Sequence, residues 1–460
     1  MRKVLWAVVA AGVLAAVSNG WAKFATGTEK VPVDRVVKNV QAIIRDKPED
    51  AQGYYVLARV HAMAWAYGAE LNLVTVNEGE LRKFGPYDSV EVRAAAGKQA
   101  TAEDYAHLAK AIENYREAVK RAPGEAIYQL GLAWVLQEAG RAGKDLPGDF
   151  LSGGKALTAE AKASYVQAVK DLADADAKVR EAATKKLVDG MPGAVAVLRE
   201  VRTEDPEVAA RVDAVMKGYW DLQALEHYRA AYAAAKEKDL AAKGGLERAD
   251  WQVSREAGEA IEEIVRAHPA AAKPGEEAEI AETLTALKSK PLAVTPIVLG
   301  MQGEMTIGAL EAPGKRVTFD VAGDGVQRQW TWVKAGTALL VWDPSGTGQI
   351  TSGRQLFGAR TWWVFERDGY AALALLDDNG DGTLTGAELA GIRVWVDADG
   401  DGICEAGEVK DLRDVGIVGI GVRGVKGGDG VLAGQVHFAD GRSGRTFDWI
   451  AESGSEAEKR

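Results

Sequence analysis

Two stretches decide the reading of this chain: Asp377-Asp378-Asn379-Gly380-Asp381-Gly382-Thr383-Leu384-Thr385-Gly386-Ala387-Glu388, and Asp397-Ala398-Asp399-Gly400-Asp401-Gly402-Ile403-Cys404-Glu405-Ala406-Gly407-Glu408. Each opens on Asp, repeats a carboxylate or carboxamide two and four residues on, places Gly sixth and closes on Glu twelfth. Glycine alone enters the left-handed backbone region at no steric cost, so Gly382 and Gly402 mark a sharp turn that folds the flanking oxygens toward one point. Apolar Leu384 and Cys404 in eighth place point inward, which makes Cys404 a small packing residue and not a nucleophile.

This spacing suits calcium, which takes six to eight hard oxygen ligands, and a twelve-residue loop supplies them from positions 1, 3, 5, 7, 9 and 12. The expected ligands are Asp377, Asn379, Asp381, Thr383, Thr385 and Glu388 in one loop. In the other they are Asp397, Asp399, Asp401, Ile403, Glu405 and Glu408. Thr383 and Ile403 give backbone carbonyls, Thr385 and Glu405 act through water, and the two closing glutamates are bidentate. With Glu405 as an extra acid, the second loop is expected to bind more tightly. Both resemble the calcium loop of the EF-hand. Their surroundings do not follow an ordinary EF-hand pair, because only Leu389 to Val396 separates them. A turn of helix and a strand, Ile392 to Val396, fit there; two full helices do not. A short amphipathic helix carrying Tyr370, Leu373, Ala374 and Leu376 leads into the first loop.

The longer run "LLVWDPSGTGQITSGRQLFG", followed by "GYAALALLDDNGDGTLTGAEL", "IRVWVDADGDGICEAGEVKDL" and "VGIVGI", resembles the EF-hand-like calcium-binding domain of many exported bacterial proteins. Large repeat-in-toxin-type proteins and adhesins carry it in their C-terminal parts. The resemblance covers about residues 293 to 452 and implies a metal-ordered domain of short helices and strands without catalysis of its own. It also implies further sites upstream, where this chain departs from the pattern. After "PIVL", Gly300, Gln302 and Glu304 stand where an acidic repeat is expected. At Asp320 and Asp324 the intervening acid is Ala322, leaving a half-site. The loop from Asp343 has Ser345 and Thr347 in place of acids or amides, then Gln349, and Gln355 replaces a glutamate. Asp343, Ser345, Thr347, Gln349, Asp320 and Asp324 are therefore weak metal candidates, since removing ligand charge weakens calcium binding.

From about Val33 to Lys290 apolar residues recur at helical spacing in an Ala-, Glu-, Lys- and Leu-rich background. Val36, Val40 and Ile43 lead to Pro48 and then Tyr54, Leu57, Ala58 and His61. Ala111, Tyr115 and Ala118 lead to Pro123 and then Tyr128, Leu130, Gly131 and Trp134, and Ala257, Ile261 and Ile264 lead to Pro269. Small residues facing aromatics let antiparallel helices approach closely, and the pattern resembles the tetratricopeptide repeat. Counted to the small residue, the turn after Pro123 is two residues shorter than that after Pro48. The charged stretch between Pro274 and Pro291 reads as a linker. Beyond it short β-type runs appear: Val317 to Asp320, Leu339 to Trp342, Ile392 to Val396 and Ile417 to Val422.

The expected architecture is multidomain. Residues 1–22 form a signal peptide, 23–270 an all-α helical-hairpin domain of tetratricopeptide type, 271–290 a linker, 291–452 a small α+β EF-hand-like domain, and 453–460 a charged tail. The signal reading rests on Arg2 and Lys3, the apolar run Val4 to Val17, and small residues at Ser18, Gly20 and Ala22. No later stretch approaches the length of a membrane span, so the expectation is an exported, periplasmic or extracellular protein. A single Cys excludes an intramolecular disulfide. A net charge of −11 disfavours nucleic acid as a partner. The five histidines form no metal motif, and no nucleophile elbow or phosphate loop occurs. The sequence thus points to a non-enzymatic calcium-binding protein whose helices engage a protein or peptide partner. Against it stands a carbohydrate-binding or enzyme-accessory reading, in which Trp330, Trp332, Trp342, Trp362 and Trp363 stack on sugar; aromatics in such runs more often pack in a core.

Overall fold

The computed structural model describes residues 28–67, 72–74, 100–142, 157–191, 193–243, 251–287, 290–302 and 305–454. The expected signal segment and nearly all of the expected charged tail lie outside them. Among the described residues no helix is long and apolar enough to cross a membrane.

The N-terminal half is helical, apart from a short pairing of β1 (Thr28–Lys30) with β2 (Asn72–Val74). Helix α1 (Val33–Asp46) is followed by α2 (Ala51–Tyr67), and α3 (Ala102–Arg121) by α4 (Ala126–Ala142). The turns are 47–50 and 122–125, equal in length, with Pro48 and Pro123 second in each. The two-residue difference expected from the sequence is therefore not in the turn. It lies in where the second helix places its small residue: Gly131 comes two residues earlier in α4 than the fully buried Ala58 does in α2, and a Cβ at Gly131 would run into the Tyr115 ring. Thr101 and Asp104 close a capping box at the start of α3, satisfying two otherwise orphaned amides.

After α5 (Ala159–Asp171), α6 (Ala177–Asp189) and the short α7 (Val195–Glu200) comes α8, which spans Pro206–Ala241. Asp205 caps α8 and Pro206 opens it, where a missing N–H costs nothing. Helix α9 (Trp251–Ala267) buries Ala257, Ile261 and Ile264, as their spacing predicts. The stretch expected as a linker instead holds α10 (Glu276–Leu287), which buries Ile280, Thr283 and Leu287. Its first turn carries three glutamates, which favour the positive end of the helix dipole. Successive packing runs α1, α2, α3, α4, α8, α9, α10, with α5 to α7 on the flank of α8.

The C-terminal part is built on a nine-stranded antiparallel sheet. It uses β4 (Ile297–Leu299), β7 (Ala338–Trp342), β8 (Thr383–Thr385), β9 (Ile392–Val396), β10 (Val409–Asp411), β11 (Ile417–Gly421), β12 (Val425–Lys426), β13 (Leu432–Phe438) and β14 (Ser443–Asp448). The spatial order is β10, β9, β7, β4, β14, β13, β11, β8, with β12 beside β13. Two small pairs complete it: β3 (Ala293–Val294) with β15 (Ala451–Glu452), and β5 (Glu311–Phe319) with β6 (Arg328–Val333). Helix α11 (Gly369–Ala374) precedes the first calcium-type loop.

Strands β4 and β7 are apolar on both faces because both faces are covered. Val298, Leu339, Val341 and Trp395 pack with Trp330, Trp332 and Trp449 in a core internal to this part. Ile297, Leu299, Leu340 and Trp342 face the other way, into a core shared with the helices. The five tryptophans considered for sugar stacking are all at most 4% exposed, so they offer no face to a glycan. The two halves are joined directly as well. Arg59 donates to Trp363 O (2.8 Å), Gln52 to Phe365 O (3.2 Å) and Glu366 Oε2 (3.0 Å), and Trp342 Nε1 to Lys30 O (3.2 Å). Trp362, Trp363 and Phe365 all sit at positive φ, a strained state for bulky residues that persists only where packing fixes it.

Candidate metal centre

The Asp377 and Asp397 loops repeat one geometry. In the first, Asp377 accepts from Gly380 N (2.8 Å) on one oxygen and Gly382 N (3.0 Å) on the other; in the second, Asp397 accepts likewise from Gly400 N (2.6 Å) and Gly402 N (2.9 Å). Gly382 and Gly402 lie at φ +90° and +78°, the turn that the sequence required. The closing glutamates match residue for residue. Glu388 accepts from Asp378 N (2.8 Å) and Thr385 N (3.0 Å), and Glu408 from Ala398 N (2.7 Å) and Glu405 N (3.1 Å). Each Glu thereby spans the start and the end of its loop and aims its carboxylate inward.

Asp397, Asp399 and Asp401 bring a carboxylate oxygen each within 4.8 Å of one another. Among the described residues no Lys or Arg forms a salt bridge with Asp397, Asp399, Asp401, Glu405 or Glu408. Lys315 Nζ reaches this loop only at the Asp399 main-chain oxygen (3.0 Å). Burial raises the Asp397 carboxyl above its ordinary range, against hydrogen bonds from Trp332 and from the Gly402 and Gly400 amides, and Glu408 adds repulsion. Asp399 foremost, then slight burial and Asp401, push the exposed Glu405 up. A divalent cation among these oxygens removes that repulsion, so the residues present fit calcium. Leu384 is fully buried, while Cys404 is half-buried with its thiol pushed up to about 11, foremost by burial. Cys404 Sγ lies 3.4 Å from Gly348 O, placing the Asp397 loop against the Asp343 loop.

Sequence reasoning missed the indoles behind the second loop. Trp332 Nε1 donates to the fully buried Asp397 (2.5 Å) and Trp395 Nε1 to Glu408 (3.0 Å). Trp395 lies two residues before the loop, but Trp332 comes from β6, and no local spacing signals its reach.

The two weaker candidates adopt the same turn with more protein donors inside it; the Asp377 loop has one, Asn379 Nδ2 to Asp381 Oδ2 (2.9 Å). Asp320 accepts from Asp324 N and Gly325 N (both 3.1 Å), and Asp343 from Thr347 N (2.8 Å) and Gly348 N (3.0 Å). In the first, Arg328 Nη1 donates to Asp324 Oδ1 (2.8 Å) and Val326 O (3.3 Å), the fifth- and seventh-position oxygens that a cation would share. Ser352 Oγ also donates to Asp320 (2.8 Å). Burial, then the Asp324 charge, raises the Asp320 carboxyl well above the carboxylate range. In the second, Thr347 Oγ1 donates to Asp343 Oδ1 (2.9 Å), and Gln355 Nε2 donates to Gln349 O (2.9 Å) while its Oε1 accepts from Thr351 N (2.9 Å). Calcium does not fit either loop while these donors stay. Gln302 and Gly300 of the lost early site form no part of these turns, and Glu304 lies outside the described residues.

Residues 297–450 match the family described as the SPM domain. Part of the chain is similar to the iron-regulated protein FrpA of Neisseria meningitidis serogroup C, 39% identical over 129 residues. That alignment covers 26% of this chain, and the chain spans only 11% of FrpA.

Proposed function

We propose that this is an exported, non-enzymatic calcium-binding protein whose EF-hand-like module takes two calcium ions, one in the Asp377 loop and one in the Asp397 loop. The observation that carries this reading is the contrast among the four turns. The Asp320 and Asp343 turns hold Arg328 and Gln355 donors at the oxygens a cation would bind, whereas Asp397, Asp399 and Asp401 converge with, among the described residues, no side-chain donor from Lys or Arg on their carboxylates. The Asp377 loop repeats that turn with one donor of its own, Asn379 Nδ2 to Asp381 Oδ2 (2.9 Å). Calcium orders the module, because the carboxylates repel without it and binding stabilises only the folded form. The helical hairpins, of tetratricopeptide type, serve as a scaffold for a protein or peptide partner. Stacked helical hairpins present long surfaces suited to that task. The similarity to part of FrpA supports a bacterial origin for the module and no more than that.

Calcium titration of the full-length protein by calorimetry, with native mass spectrometry for the count, tests the assignment. Two bound ions are expected, falling to one in Glu388→Gln and one in Glu408→Gln. Three or four ions, or a count unchanged by either substitution, sinks it.

A further inference from the structure

The Asp377 loop differs from its twin in what stands behind it. Helix α1 of the helical half reaches across to it, 336 to 353 residues away in sequence. Arg35 Nη2 donates to Leu376 O (2.5 Å) and Glu388 O (3.3 Å), and Arg35 Nε to Asp378 Oδ1 (2.9 Å). One helical turn on, Asn39 Nδ2 donates to Leu375 O (3.0 Å) and Asp378 Oδ1 (2.9 Å). The Asn39 side chain is buried, so its amide has no water to fall back on.

The choice of acceptors is informative. Leu375 and Leu376 immediately precede the first ligand, Asp377, and Glu388 is the last. Asp378 occupies the second position, whose side chain is not a calcium ligand in this type of loop. The guanidinium therefore ties the start of the loop to its end through main-chain oxygens and consumes none of the ligand oxygens. That distance is the one the closing glutamate must span to reach the ion. At the Asp397 loop the corresponding support comes from Trp332 and Trp395 of the module itself, and among the described residues no hydrogen bond from the helical half reaches it.

We propose that Arg35 and Asn39 are positioning residues for calcium in the Asp377 loop, so that the helical half completes one of the two sites and its docking is linked to that ion. The inference rests on the calcium reading above. Linkage makes the effect reciprocal: if docking of α1 strengthens calcium binding, calcium strengthens docking of α1 by the same factor. The Asp397 site is independent of the helices, which gives the protein two classes of site and makes one of them a report on the arrangement of its halves.

The test uses the full-length chain and calcium itself. In a Glu408→Gln background, which isolates the Asp377 site, Arg35→Ala with Asn39→Ala should weaken calcium by about tenfold, within the ordinary range of coupling between sites. In a Glu388→Gln background the same pair should leave the remaining site unchanged. Arg35→Lys, which keeps the charge but loses the planar fork, should fall between. Hydrogen exchange supplies a readout without mutation of the helix: calcium should slow exchange of the α1 amides in the unsubstituted chain and in Glu408→Gln, but not in Glu388→Gln. Equal weakening at both sites, no weakening at either, or α1 protection indifferent to calcium overturns the linkage. If the unsubstituted loop takes no calcium at all, the reading of the site falls together with it.

Discussion

Glu408→Gln separates a metal ligand from a merely structural acid, because its two roles respond oppositely to calcium. Without calcium the carboxylate accepts from Ala398 N, Glu405 N and Trp395 Nε1, and also raises its buried neighbour Asp397 by repulsion. The amide keeps one acceptor oxygen and presents an NH2 group to the remaining donors, a loss of about 1 kcal/mol for a hydrogen bond. Relief of the like charge beside Asp397 offsets this, so the melting temperature in chelator should move by only a few degrees. With calcium the outcome changes. A site saturated to about 100 times its Kd contributes about 2.7 kcal/mol to the folded state. For a domain of this size that corresponds to roughly 5 to 10 °C. Differential scanning calorimetry of the full-length protein, in chelator and in about 10 mM calcium, should therefore show a small shift in the first and a large fall in the second. An equal fall in both conditions would refute the argument, since it would mean that Glu408 acts through the protein alone.

The Asp343 loop should be convertible: Thr347→Asp with Gln355→Glu removes the donors to Asp343 and Gln349 O, and native mass spectrometry should count one more calcium than in the unsubstituted protein. Trp332→Phe deletes the indole bond to a fully buried carboxylate and should cost about 1 to 3 kcal/mol in chelator, measured by denaturant unfolding; an unchanged midpoint would deny that bond any weight. His61, on α2 with Nδ1 2.9 Å from that of His107 on α3, has its pKa lowered to about 3, foremost by burial and then by His107 and Lys110. A histidine with a depressed folded value contributes its stability in full above its ordinary value of 6.5 and loses it as pH falls toward 3. Near pH 5 the loss is about 2 kcal/mol, and His61→Gln should flatten that dependence in chemical unfolding between pH 7 and 5.

The turns of the two loops were legible because they are local: each forms within twelve consecutive residues, and glycine at the sixth position has one physical reason to be there. Strand Ile392–Val396 and helix Gly369–Ala374 followed from the same fixed spacing. What was not legible is whatever depends on residues brought together from afar. Ser352, which donates to Asp320 from 32 residues away, carries no sign in the sequence of that loop, and even the nearby Arg328 and Gln355 show their role only once their side chains fold back on the turn. The stretch 276–287 read as a linker because its charge hides a narrow stripe of Ile280, Thr283 and Leu287, which pays off only once α9 is in place. Arg35 and Asn39 carry no motif at all; on α1 they look like two polar residues of a solvated face.

Those distant contacts change what the two domains are to each other. A flexible linker would let the helices and the module act separately. Instead one apolar core runs from α2 and α4 to the face of the sheet that carries Ile297, Leu299 and Leu340. The strained segment Trp362–Phe365 is held between them, and Arg59 packs over the Phe365 ring, 5.0 Å from its centre. The Asp377 loop lies at the margin of this joint and the Asp397 loop away from it, backed by tryptophans of its own module. An ion in the second loop would bear on the module alone, whereas the first loop has both its ends held by α1 through the Leu375, Leu376 and Glu388 main-chain oxygens, which leaves its ligand oxygens free for a cation.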